Sequence, residues 1–460
     1  MLEKIMFGGL LLAFITCANA IEKKDDAYHV YPEDQIQDAL RLASEDPEIK
    51  VVKVHPGIYR PNSKRQALIW LNRRHEGIQL IAVGNVTLTA ANPSLSNPDD
   101  PSHPAVVNHV IYIGNGISNK TVVQGFKVTG ANGFVIRRLT HRLEPDRTLP
   151  KNLFFYADGG GIKIFGRSYP TLIGMEVFDN FTSPCGAGIS VQHEGYNDQW
   201  VILRDCIIRG NRTQVTGSGV DLLPGSAGKM INCLFVGNIS NTGQDVVANQ
   251  SGEKPFKNSG ALTIFSTSKA IVENCTFTGN RNAVDDMGNH SVYRNSIFFE
   301  NTLESEFWME TQRYELMLTA GAKEMKGCFI RGKLHDVHQS ISKESNRLNA
   351  PDPRFDSSFV PQSDEYDGKG YRPVRDRSKI NSSFGGSAVM PDARHEEGES
   401  PMGLQPTSNA ADGMMPPRPE GLGRFGLPAA LLLSHRAQAL LHRRALPETQ
   451  IASSKWRSYF

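Results

Sequence analysis

The chain carries almost no excess of charge of either sign. Its 50 Lys+Arg against 48 Asp+Glu leave a formal net charge of +2, which gives no basic stripe of the kind that engages a nucleic acid. Nor is the apolar run Ile5 to Ile15 long enough to span a bilayer, which takes roughly 20 residues. Lys4 precedes it and Ala18-Asn19-Ala20 follows, so residues 1–20 read as a cleaved signal peptide with the mature chain starting at Ile21. That reading places the protein outside the cytoplasm, secreted, periplasmic or at the cell surface, as a monomer. An even cysteine framework is missing too. Cys185, Cys206, Cys233, Cys275 and Cys328 remain after cleavage, and an odd number is a poor disulfide set.

What the chain does have is a recurring phrase. GFKVTGA at 125–131, GMEVFDN at 174–180, DCIIRGN at 205–211, NCLFVGN at 232–238, NCTFTGN at 274–280, NSIFFEN at 295–301 and GCFIRGK at 327–333 are seven copies of one element. Their second and fourth residues are small or apolar, a period-2 alternation that turns one face of a short strand inward and excludes a helical solenoid for these segments. The copies lie 49, 31, 27, 42, 21 and 32 residues apart. The shortest interval approximates one coil, and the excess is loop. Cys206, Cys233 and Cys275 share one inward position and are expected to stack as buried fillers, so that Cys206→Ser would cost on the order of 1 to 3 kcal/mol. Asn180, Asn211, Asn238, Asn280 and Asn301 share one turn position, where Asn tolerates the left-handed region and its amide bonds the neighbouring coils.

A second strand follows the Asn turn, in GGGIKIF (159–165), GAGISVQ (186–192), GSGVDLL (217–223), SGALTIF (259–265) and RNAVDDM (281–287). A third precedes the phrase: TVV at 121, TLI at 171, WVIL at 200, KMI at 229, KAIV at 269 and SVY at 291. Three short strands per coil make an all-β, right-handed parallel β-helix solenoid over residues 21–383, with a short N-terminal capping helix over Pro32–Ala43. Insertions at 137–158, 239–258 and 302–325 are expected to project from it. Residues 384–460 read as a Gly/Pro/Ser/Met-rich linker and a tail.

These residues resemble the pectate-lyase-like superfamily and its right-handed β-helix repeat relatives. Val51–Val54 leading into His55-Pro56-Gly57-Ile58-Tyr59 is similar to the opening turn of such solenoids. DPRF at 352–355 with GYRPVRDRSKINSS at 370–383 looks like a degenerate closing segment. The resemblance is specific for fold and implies a polysaccharide ligand, with calcium as a cofactor only by that analogy. For chemistry it is weak, because the same superfamily holds lyases, hydrolases and adhesins.

Candidate chemistry lies on the second strands. Stacked in register, their outward positions are Lys163, Ser190, Asp221, Thr263 and Asp285. One rung is about 4.8 Å, so Asp221 and Asp285 would stand about 10 Å apart, near the upper end of the roughly 6.5 to 9.5 Å used by inverting glycosidases. A lyase would instead use a base such as Lys163. If neither holds, the row is a solvated face without chemistry. Of the motifs of polygalacturonase-like hydrolases, only Asp285-Asp286 has a counterpart, and Gly288-Asn289-His290 departs from Gly-His-Gly. His193-Glu194 ends a strand beside the row. The catalytic candidates are therefore Lys163, Asp221, Asp285 and Asp286, in a protein that binds polysaccharide and cleaves it by lyase or hydrolase chemistry, or else serves as a non-catalytic adhesion solenoid. The first prediction concerns export: mass spectrometry of the secreted protein should find Ile21 at the amino terminus, and an intact Met1 would refute cleavage.

Overall fold

The computed structural model describes residues 21–374 except 101, 134–157, 183–184, 214–215, 241–258, 289, 304–312, 337 and 340. The expected signal peptide and the linker and tail lie outside the described residues. So do most of the first two expected insertions.

Among the described residues the strands form three stacked sheets of eleven, ten and nine members, through which successive coils run in turn, and a two-strand ladder of Phe181–Thr182 with Arg212–Thr213. Neighbouring coils pair in parallel and in register, as in Ile207↔Leu234, Leu234↔Thr276 and Thr276↔Ile297 for consecutive copies of the phrase. The architecture is the expected right-handed parallel β-helix. All seven phrase copies fall in the ten-strand sheet, which extends further toward the amino terminus through Gly57–Tyr59 and Val86–Thr89. Those two coils lack the phrase and were not visible as repeats.

The ends are closed by irregular elements. At the amino terminus an antiparallel hairpin pairs Glu22–Lys24 with Ala27–Val30. It turns on Asp25 and Asp26, both at positive φ, as a two-residue hairpin of matching twist requires. The capping helix runs Ile36–Glu45 rather than Pro32–Ala43, and buries Ile36, Ala39, Leu40 and Ala43, one face at i, i+3, i+4 and i+7. At the other end the closing segment doubles back across the coils. Gly370 N–H donates to Asn295 O, Tyr371 N–H to Thr276 Oγ1 and Arg372 N–H to Asn232 Oδ1. The third expected insertion is corrected in part, because Leu316–Leu318 is a rung of the nine-strand sheet.

The interior is a set of ladders. Phe235, Phe277 and Phe298 stack at 4.3 and 5.2 Å between ring centroids. Cys206, Cys233 and Cys275 are free and fully buried, as their shared inward position implies. Each thiol donates to a backbone carbonyl, Cys206 Sγ to Arg204 O at 3.2 Å. The next rung carries Ser296, whose hydroxyl donates to the equivalent carbonyl, Arg294 O, at 2.9 Å. A hydroxyl in this stack is therefore already satisfied, which lowers the cost expected for Cys206→Ser.

The Asn ladder is present, with a correction to its backbone. The left-handed residue is the one before each Asn: Asp179, Gly210, Gly237, Gly279 and Glu300. The Asn itself spends its amide across coils. Asn238 Nδ2 donates to Ile208 O (2.9 Å) and to Asn280 Oδ1 (2.9 Å), while its Oδ1 accepts from Asn211 N (3.2 Å) and Asn211 Nδ2 (3.0 Å). The series ends on Glu315, whose carboxylate takes Asn301 N–H and Nδ2–H. Asn238→Ala would strand several buried groups at once and is expected to cost about 2 to 4 kcal/mol, against less than about 1 kcal/mol for Cys206→Ser. Denaturant unfolding of the two variants checks this ranking, and equal losses would contradict the ladder.

Candidate functional site

The sequence pattern Gly-x-Gly-aliphatic-polar positions the candidate residues. In the nine-strand sheet Ile162, Ile164, Ile189, Val191, Val220, Leu222, Leu262 and Ile264 enter the core, so the residues between them point to the opposite face. The register is as expected: Lys163↔Ser190, Ser190↔Asp221, Asp221↔Thr263 and Thr263↔Asp285. The row continues backward to Tyr112 and Trp70, stacked at 3.8 Å, and forward to Met317 and His335. The first glycine of the pattern makes room for it. Gly217 is at φ +60°, and a Cβ there would lie 2.5 Å from the Asp221 carboxyl carbon.

The environment of the row differs from the expected solvated or cleft-floor setting. Lys163, Ser190, Asp221, Thr263 and Asp285 are all fully buried. Lys163 Nζ is held by Asp158 Oδ1 (2.8 Å) and Oδ2 (2.7 Å) and donates to Gln192 Oε1 (2.8 Å). Its ammonium is therefore one half of a buried ion pair rather than a free base. Ser190 Oγ donates to Asp158 Oδ2 at 2.5 Å, which further satisfies the carboxylate as a buried pair requires.

The acids beyond this pair have little to hold them ionised. Burial, with Asp158 nearby, pushes Asp221 up to about 8. Thr216 Oγ1 donates to its Oδ2 at 3.3 Å, while its Oδ1 has no hydrogen-bond partner among the described residues. Among the described residues Asp285 has none on either oxygen, and burial beside Asp286 and Asp221 pushes its carboxyl well above the ordinary range. Asp286 does not join Asp285 as a pair. As the next residue of the strand it points inward, where Tyr293 Oη donates to its Oδ2 (2.7 Å) and Gly288 N–H to its Oδ1 (2.9 Å). Burial lifts it to about 7. His193 is also structural. Its Nδ1 accepts from Ala227 N and its Nε2 donates to Ser168 O, and burial lowers it to about 4. The calcium analogy finds no support in these residues: among the described residues no three His, Cys, Asp or Glu converge as a metal centre, and calcium takes six to eight oxygen ligands.

An open groove lies at the neighbouring corner, where the turns leaving the nine-strand sheet enter the eleven-strand sheet. It has a volume of about 650 Å³ and is lined by Glu76, Arg167, Tyr196, Asn197, Asp198 and Lys269 among others. A second hollow of about 600 Å³ shares Asn197 and Lys269 and reaches His290. Tyr196 is 45% exposed, with the Arg167 guanidinium 4.2 Å from its ring centroid. Lys229 Nζ and Lys269 Nζ, from successive coils, stand 5.1 and 4.7 Å from the Trp200 ring centroid. The loop that presents Tyr196 is pinned, since Tyr169 Oη donates to Tyr196 O and Asn197 Nδ2 to Thr267 O. Sequence reasoning passed over these residues. The signal was an aromatic or a lysine at the start of successive third strands, in WVIL, KMI and KAIV.

Burial of Asp221, Asp286 and Glu315, the last also lifted to about 7, has a consequence for stability. Between the ordinary carboxylate range near pH 4 and the raised values, the folded chain holds protons that the unfolded chain has released. The unfolded state is then favoured by about 1.4 kcal/mol per group for each pH unit. As far as these groups decide it, stability should be highest at and below about pH 4, should fall as pH rises to about 8, and should then level off. Thermal unfolding as a function of pH reads this directly, and Asp221→Asn should flatten the slope. A melting temperature that rises from pH 5 to 8 in the wild type would contradict it.

Residues 106–259 match the family model described as a right handed beta helix region. Among solved structures, the chain is similar to the crystal structure of pectate lyase Pel9A, at 13% identity and a TM-score of 0.29, over 61% of this chain and 77% of that one. No curated protein matches. With coils stacked through three parallel sheets and this match over the middle of the stack, the chain is a right-handed parallel β-helix protein.

Proposed function

We propose that this is an exported protein that binds an acidic polysaccharide along the groove between the nine-strand and eleven-strand sheets. The observation that carries the reading is Trp200 with the ammonium groups of Lys229 and Lys269 over its ring, next in the chain to a hollow that Lys269, Gln199 and the exposed Tyr196 line. An aromatic face takes the apolar side of a sugar ring, and cations spaced by one coil meet the carboxylates of a polyuronate. Asn197 and Asp198 add hydrogen-bonding groups for hydroxyls.

A second reading, cleavage, is favoured by Asp285. A fully buried carboxyl without a hydrogen-bond partner among the described residues, two rungs from Asp221, is the kind of perturbed pair found at acid–base sites. Both residues lack accessible surface, however, and no polymer reaches them in this conformation. Binding at the groove is therefore the better supported function.

Binding of the mature chain to polygalacturonate and to a neutral glucan, followed by affinity electrophoresis, tests both readings. Polygalacturonate should be retained and the neutral polymer not. Lys229→Ala/Lys269→Ala and Trp200→Ala should each weaken binding at least tenfold, about 1.4 kcal/mol, and added salt should weaken the wild type. Unchanged retention in both variants would remove the groove from consideration. New reducing ends that vanish in Asp285→Asn would establish hydrolysis, and ultraviolet absorbance from an unsaturated product that vanishes in Lys163→Ala would establish elimination. Retention without products would leave a non-catalytic solenoid.

A further inference from the structure

The groove at the corner carries charges of both signs, and their order is not that of a basic channel. Along the stack the eleven-strand sheet runs through Gln79–Ala82, Val122–Gln124, Thr171–Ile173, Val201–Arg204, Ala227–Ile231 and Lys269–Glu273. The four charged residues that line the larger hollow come from the turns before these strands or, for Lys269, from the strand itself. Glu76 is first, then Arg167, Asp198 and Lys269, so the signs alternate along the stack. Arg167 and Lys269 are three coils apart, about 14 Å at one strand spacing per coil. Asp198 lies between them in the coil order.

No internal pairing cancels this pattern. Among the described residues none of the four takes part in an ion pair. Both carboxylates are instead held in place by donors of the protein. Glu76 accepts the Ser118 N–H at 2.7 Å and the Thr121 hydroxyl at 3.2 Å. Asp198 Oδ1 lies 3.0 Å from Tyr169 Oη, which shares its proton between that carboxylate and Tyr196 O. The loop that bears Asp198 also rests backbone to backbone on the next coil, where a Cβ on Gly225 would lie 2.5 Å from Gly195 N. Arg167 is exposed and stacks on the Tyr196 ring at 4.2 Å, which leaves a planar fork of the kind that takes a carboxylate.

A bound chain must match this fixed order of signs. One sugar advances an extended glycan by about one coil, so a homopolymer of uronates sets a carboxylate at every coil, Asp198 included. Like charges then meet at a fixed acid, which costs affinity. A chain with neutral sugars between its acidic ones sets carboxylates on Arg167 and Lys269 and hydroxyls, which donate, on Asp198. We propose that the groove selects an acidic heteropolysaccharide, in which uronates are separated by neutral sugars, over a homopolyuronate, and that Asp198 sets the preference. The inference rests on the polysaccharide reading of this groove and narrows its ligand.

Affinity electrophoresis of the mature full-length chain tests it in gels of polygalacturonate, of hyaluronan, whose glucuronates alternate with neutral sugars, and of deacylated gellan, whose glucuronates are spaced more widely. Hyaluronan or gellan should be retained at least about threefold more tightly than polygalacturonate, whereas unselective attraction would rank the polymer of highest charge density first. Asp198→Asn keeps an oxygen for Tyr169. It should tighten retention on polygalacturonate at least about threefold and leave hyaluronan and gellan within about twofold of wild type. Asp99→Asn makes the same change of charge on an exposed turn between the ten-strand and nine-strand sheets, and should move none of the three. Retention on polygalacturonate as tight as on the other two, read in the wild type without any variant, would overturn the proposal. So would no change in Asp198→Asn, or equal shifts in Asp198→Asn and Asp99→Asn. Retention on none of the three polymers would instead remove the polysaccharide reading itself, and this inference with it.

Discussion

Everything in this molecule depends on one coil lying in register on the next. Parallel strands without hairpins have no local turn to set their alignment, so alignment must come from side chains that bond or pack only with their own kind one rung away. The Asn amides do this by hydrogen bonding, each bridging two coils, and the Cys, Ser and Phe stacks do it by fit. A slip of one residue would send the aliphatic face outward and bury the turn donors unpaired.

The same constraint explains both kinds of surprise. Asp285 and Asp286 are adjacent in the chain yet lie on opposite sides of a sheet, one facing the covered outer row and the other bonded to Tyr293 in the interior. Conversely, residues 26 positions apart, His29 and His55, meet because their coils are neighbours. Trp200 gains lysines from two further coils in the same way. In a solenoid the relevant distance is counted in coils and rungs.

Electrostatics then divides the surface into two zones. On the buried face of the nine-strand sheet, Lys163 is paired with Asp158, and burial drives Asp221 and Asp285 toward their neutral form. At the open corner, Lys229, Lys269, Arg167, Asp198 and Glu76 remain in contact with solvent, where a charged polymer can exchange with water at little desolvation cost. The corner is therefore the better place to look for a ligand.

Period-2 alternation, the recurring phrase and its Asn turn were enough by themselves to determine the strands, the three-strand coil and the register, including the alignment of Lys163, Ser190, Asp221, Thr263 and Asp285. These follow from local sterics and from like stacking on like, which a repeat displays directly. The rung Leu316–Leu318 and the coil of Val86–Thr89 were not legible as repeats, because an apolar triplet without its flanking Gly and Asn carries no phase, whereas Val51–Val54 and Gly57–Tyr59 were read only through their resemblance to a solenoid's opening. The burial of the outer row was decided only in three dimensions. Lys, Ser and Asp on the non-core side of a strand read as solvated, and whether that side meets water depends on packing from outside the coil, which no pattern within the coil encodes. The groove and the histidine pair were likewise decided by tertiary structure, because their members come from separate coils whose spacing in the chain varies with every loop.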